Sequence, residues 1–129
     1  MKAVATINAI NTMETVRLDP DCLTRLYCQL GETGAEDVIG RAVEELAVRL
    51  AQCTLQRCND DMVGLRKSVR AVAAIAEQIG MNTLARVARD ASEVIENGDD
   101  IALDAILARL MRIGESSLTA VWDLHHLPV

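Results

Sequence analysis

Apolar residues recur every three or four positions along most of this chain, and nowhere do they alternate with polar ones for long enough to make a strand. The longest run, Ile39, Ala42, Val43, Leu46, Leu50 and Cys53, lays one stripe along a helix. A chain patterned in this way buries helix against helix, and the expected class is all-α.

Helix boundaries can be placed from capping chemistry. At L-D-P-D, Asp19 caps, Pro20 suits the first helical position and Asp21 favours the positive end of the dipole. Leu23, Leu26, Tyr27 and Leu30 mark one face of this short helix over 19–30, and Gly31 is a natural stop. Thr33 and Glu36 have capping-box spacing and open the long helix over 33–58, to whose apolar face Arg57 can add its aliphatic stem. After N-D-D at 59–61, Asp60 or Asp61 caps a helix over 61–79 with Leu65, Val69, Val72, Ala76 and Ile79 inward, and Gly80 closes it.

The next helix, 82–97, starts near Met81 or Asn82 and uses Leu84, Val87, Ala88, Ala91 and Val94 or Ile95. Gly98 breaks the chain and Asp99 caps a last helix over 99–122 through Leu103, Ile106, Leu107, Leu110 and Ile113, with Gly114 a weak point before Leu118, Val121 and Trp122. Short links between long amphipathic helices favour antiparallel neighbours. The expected architecture is an antiparallel up-down four-helix bundle, with the short additional N-terminal helix as a lid on one end. Residues 1–17 form an N-terminal arm, loose or docked, 18–124 the bundle, and 125–129 a C-terminal tail.

With 129 residues the chain fits one domain, and one Trp, one Tyr and no Phe oblige the core to be aliphatic. A formal charge of −6 argues against nucleic acid and against an anionic membrane surface. No apolar stretch is long enough to span a bilayer. Cys22, Cys28, Cys53 and Cys58 form no C-x-x-C pair and offer no zinc spacing with His125 and His126, so buried thiols in a cytoplasmic protein are expected.

Few residues carry chemistry. There is no glycine-rich phosphate loop, no H-E-x-x-H and no G-x-S-x-G, so neither a cofactor nor a metal is expected. The pairs Glu44-Glu45, Asp60-Asp61 and Asp99-Asp100 read as caps and solvated charges rather than acid–base pairs. His125 and His126 are the only imidazoles, and both lie near the C-terminus. On the helix over 61–79, the inward stripe turns Arg66, Arg70, Ala73, Ala74 and Glu77 outward, with Lys67 further round. Periodicity alone makes this a solvated helix face whose alanines serve propensity, although small Ala73 and Ala74 would also let a partner backbone approach.

From Leu18 to about Val121 the sequence resembles histidine-containing phosphotransfer (HPt) domains. The likeness runs through L-D-P-D-C-L-T-R-L, R-A-V-E-E-L-A-V-R-L and N-D-D-M-V-G-L-R-K-S-V-R, and is best at V-R-A-V-A-A-I-A-E-Q-I-G-M-N-T-L-A-R-V-A-R-D-A-S-E-V-I-E-N-G-D. The family usually has a surface histidine, a lysine three residues later and a glycine after it. Here those positions fall on Arg70, Ala73 and Ala74, while Ile79 and Gly80 match. Arginine stays protonated and offers no nucleophilic ring nitrogen, so relay chemistry at Arg70 is not available.

The resemblance therefore implies a non-catalytic signalling protein that docks a response-regulator receiver domain or a histidine kinase through Arg66, Lys67, Arg70, Ala73, Ala74 and Glu77. Two alternatives stay open: an active phosphotransfer protein using His125 or His126, and a structural helical module. The sequence does not fix self-association.

Overall fold

The computed structural model describes residues 16–125 as four antiparallel α-helices with no β-sheet: α1 (Pro20–Cys58), α2 (Met62–Gln78), α3 (Asn82–Asn97) and α4 (Asp100–His125). The expected bundle is present. α1 is two helices joined at Gly31, whose φ of 75° and ψ of 176° interrupt the helical backbone. The part before Gly31 is the short additional helix, capped by the Asp19 carboxylate, which accepts from the amides of Asp21 and Cys22 at 3.0 and 3.3 Å. Its Leu23, Leu26 and Tyr27 pack against the core, whereas Leu30 is exposed.

The caps that start the later helices resolve the open choices. Asp61, not Asp60, caps α2 by accepting from the Gly64 amide at 2.9 Å, and Asp60 takes the left-handed turn position with φ 54°. Met81 stands at the N-cap of α3 without a side-chain hydrogen bond, and Gly98 ends that helix at φ 72°. Asp99 accepts from Ala102 at 3.0 Å to open α4. α4 runs unbroken through Gly114, so the expected weak point is a helical residue.

The apolar stripes meet as their spacing requires. Ile39, Leu46, Leu65, Val69, Leu84, Val87, Leu103 and Leu110 belong to one continuous buried core. Burying a leucine or isoleucine of this kind contributes about 1.5–3 kcal/mol relative to leaving it exposed. Each helix packs on its successor, and α1 closes the ring onto α4 through the sparsest of the four interfaces.

Residues just before α1 are tied to the turn between α2 and α3. The Asp19 amide donates to the Gly80 carbonyl at 2.7 Å, the Arg17 amide donates to Thr83 Oγ1 at 2.8 Å, and Leu18 bridges to Met81. Gly80 has φ +76°, and a Cβ there would come within 3.1 Å of Asp19 backbone and side-chain atoms and of Cys22 Cβ. Only glycine combines that backbone conformation with so close a neighbour. Of the expected arm over 1–17, residues 1–15 lie outside the described residues, and Val16 packs against the core.

The expectation of buried thiols needs correcting. Cys53 is buried, Cys22 is half-buried, and Cys28 and Cys58 are exposed. Cys58 follows Cys53 by five positions, about 140° around the helix, so the two cannot share the core-facing stripe. No helix among the described residues is long and apolar enough to cross a membrane.

Candidate protein-interaction face

α2 presents the outward residues expected of it. Leu65, Ser68, Val69, Val72 and Ala76 are buried, and the rotation that buries them leaves Arg66, Lys67, Arg70, Ala74 and Glu77 exposed. Ala73 differs from expectation. It is half-buried and packs against the core, because it lies at the edge of the buried stripe.

The short turn after α2 returns the chain antiparallel, which lays α3 beside this face. Arg70 Nη2 donates to Glu96 Oε1 at 3.2 Å, with 61% of the Arg70 side chain and 55% of the Glu96 side chain exposed. One residue pair nearer the turn, Glu77 is bonded to Arg89 Nη1. Both pairs keep one register, with seven residues separating Arg70 from Glu77 and Glu96 from Arg89. Ala73 and Ala74 lie between them on α2, so the face is an alanine floor bracketed by two exposed ion pairs.

Exposed pairs of this kind contribute at most about 1 kcal/mol and exchange readily with other carboxylates or guanidinium groups. Arg70 is therefore accessible to a partner's carboxylate, at the cost of releasing Glu96. The face carries no imidazole among its side chains, and its guanidinium groups can supply charge-assisted hydrogen bonding over a close, small-residue surface. Sequence reasoning identified Arg70 and Glu77 but not their partners Glu96 and Arg89. The signal was present in the shared seven-residue spacing on two helices joined by a turn at 79–81.

His125 is the last residue of α4, and His126 lies outside the described residues. Among the described residues no group of three or more His, Cys, Asp or Glu side chains is placed to hold a metal ion. Glu45 pairs with Arg49 one turn along α1, and Asp60 and Asp100 lie at 4.0 and 3.8 Å from Arg57, so these exposed carboxylates are ion-pair partners while Asp61 and Asp99 are the caps.

The chain matches no family model, no curated protein and no solved structure. The small all-α bundle with an open, polar helix face is a form suited to contact with another protein.

Proposed function

We propose that this chain is a non-catalytic HPt-like docking protein that binds a response-regulator receiver domain or a histidine kinase through the α2 face. The observation that carries the reading is Arg70. It stands exposed at mid-helix, with Ala73 and Ala74 one turn on, where the sequence resemblance puts the family's phosphoacceptor histidine and the lysine and glycine that follow it.

Relay chemistry needs a neutral ring nitrogen that attacks an aspartyl phosphate and later releases it. A guanidinium does neither, but it forms planar hydrogen bonds with carboxylates, and receiver pockets in the resembled family's partners are acidic. A surface retaining the docking geometry with arginine in place of histidine would occupy a receiver without accepting its phosphate. Such a protein would compete with true phosphotransfer domains.

The test is a binding screen against receiver and kinase domains at moderate salt, with acid-labile phosphate read in the same samples. Binding without transfer, weakened by the Arg66→Ala, Arg70→Ala double substitution, is the expected result. Equal affinity of wild type and double variant for a bound receiver would remove the α2 face from consideration. Phosphate appearing on the chain would instead favour transfer through His125 or His126.

A further inference from the structure

We propose that a groove between the N-terminal half of α1 and the last turns of α4 docks a cationic amphipathic helix supplied by a partner protein. The two helices are held together at one end and part at the other. Arg57 bonds Asp104 at 2.8 Å, and further along Leu50 lies directly over Gly114. Beyond that contact the helices leave a cleft of about 700 Å³, bounded by Ile39, Gly40 and Val43 on α1 and by Leu118, Val121 and Trp122 on α4. A Cβ at Gly40 would meet nothing within 4 Å, so the floor is open there.

A second cleft of about 880 Å³ continues the first, sharing Ile39 and Val121 and reaching Leu23, Tyr27 and Leu124. Trp122 is 62% exposed and Leu124 49%, so large apolar side chains face solvent along this path. A trough between two helices, apolar along its floor, accepts a third helix whose side chains recur at three- and four-residue spacing.

The rim decides the charge of the occupant. Glu36 and Glu44 line the first cleft, and among the described residues neither cleft has a Lys or Arg in its lining. Exposed Glu32 lies close enough to Tyr27 to act, with Glu36, on its hydroxyl, whose pKa is pushed up first by burial and then by these carboxylates. Exposed Asp123 stands between Trp122 and Leu124. Apolar residues with Glu36 and Glu44 in their lining favour a helix with basic flanks. A second copy of this chain is disfavoured, because a twofold contact would set the same acidic rim against itself. The groove lies on the α1–α4 side, away from Arg70, and stands whether or not a receiver binds α2.

The experiment titrates the full chain with a synthetic helix of about 18 residues carrying Leu at three- and four-residue spacing and Lys elsewhere, free of Trp. Emission from Trp122, the one tryptophan, reports occupancy. Saturable binding with a blue shift is expected from the Lys peptide and not from the same peptide with Glu for Lys. The Glu36→Lys, Glu44→Lys pair should weaken it about tenfold, and Gly40→Leu, which fills the floor, should do at least as much. Unchanged circular dichroism and melting temperature would show that both variants remain folded.

Equal binding of the two peptides, or no loss in folded Gly40→Leu, overturns the proposal. So does a dimer in sedimentation that Gly40→Leu dissociates, which would make a second copy the occupant. Nuclear Overhauser contacts from residues 1–15 to Val43 or Trp122 in the peptide-free chain would assign the groove to the chain itself and overturn it equally.

Discussion

Arg57 in the last turn of α1 donates from Nε to Asp104 Oδ1 at 2.8 Å, fastening the end of one helix to the start of another from which two helices separate it in the chain. That bond, with the Arg57 charge, holds the Asp104 carboxyl below its ordinary range against an opposing effect of burial. A group whose pKa is depressed in the folded state stabilises the fold above its unfolded pKa and loses that contribution as pH falls through the folded value. Asp104→Asn should therefore melt below wild type at neutral pH, and the gap should close below about pH 4. Thermal melts of both proteins across that range decide it, and a gap independent of pH would show that the carboxylate's charge is not involved.

Leu50 and Gly114 give a second, sign-sensitive prediction. A Cβ at position 114 would come to 2.6 Å from Leu50 Cδ1 and 3.3 Å from Cδ2. Replacing a helical glycine by alanine ordinarily gains about 0.5–1 kcal/mol, whereas overpacking a filled core costs about 1–3. Gly114→Ala should therefore destabilise by roughly 1 kcal/mol in wild type. In a Leu50→Ala background, itself costing about 2–5 kcal/mol, the obstruction is gone and the same change should stabilise. Urea melts of the four proteins measure both signs, and stabilisation in wild type would mean that α1 and α4 are not this close.

Much of this fold was legible because its signals are local. Asp19, Asp61, Asp99, Gly31 and Gly98 bound the helices where capping chemistry places them, and the buried stripes follow the three- and four-residue spacing. The close approach of α1 and α4 was not legible, since it depends on one glycine of α4 meeting one leucine of α1 across the bundle. The pairing of Arg70 with Glu96 likewise needs the register of two helices, which spacing within one helix does not contain. Thiol exposure failed for a simpler reason. Composition says that cysteine is usually buried, but helical phase decides each case, and it turns Cys28 and Cys58 outward.

The thiols also separate by reactivity. Burial pushes the Cys53 thiol up to about 11, with the charge of Arg49 opposing. Since the thiolate is the nucleophile, Cys53 in the folded protein should be inert to an aromatic disulfide reagent at mildly alkaline pH. Cys28 and Cys58 should react at once, and Cys22, whose Sγ donates to the Gln78 carbonyl at 3.5 Å, more slowly. A pKa raised by folding also means that stability from this group is complete below its unfolded value and is lost as pH rises through the folded one. Labelling followed by peptide mass analysis reads the order. Modification of Cys53 at the rate of Cys28 in protein shown to be folded would contradict its burial.

The ion pair on α2 makes the docking proposal more exacting than removal of a charge can. Arg70→Ala alone should change stability by no more than about 0.5 kcal/mol, because the pair with Glu96 is exposed on both sides. If a receiver's carboxylates are what Arg70 meets, Glu96 is a competitor already in place. Glu96→Gln keeps the size of that side chain, frees the guanidinium and removes a negative charge from the face, so receiver affinity should rise by roughly threefold to tenfold. Arg70→Ala should lower affinity, and adding Glu96→Gln to Arg70→Ala should recover little of the loss, since the gain acts mainly through the arginine. Calorimetric titration of the four proteins measures that coupling. Equal gains from Glu96→Gln with and without Arg70 would attribute the effect to net charge alone and dissociate Arg70 from the contact.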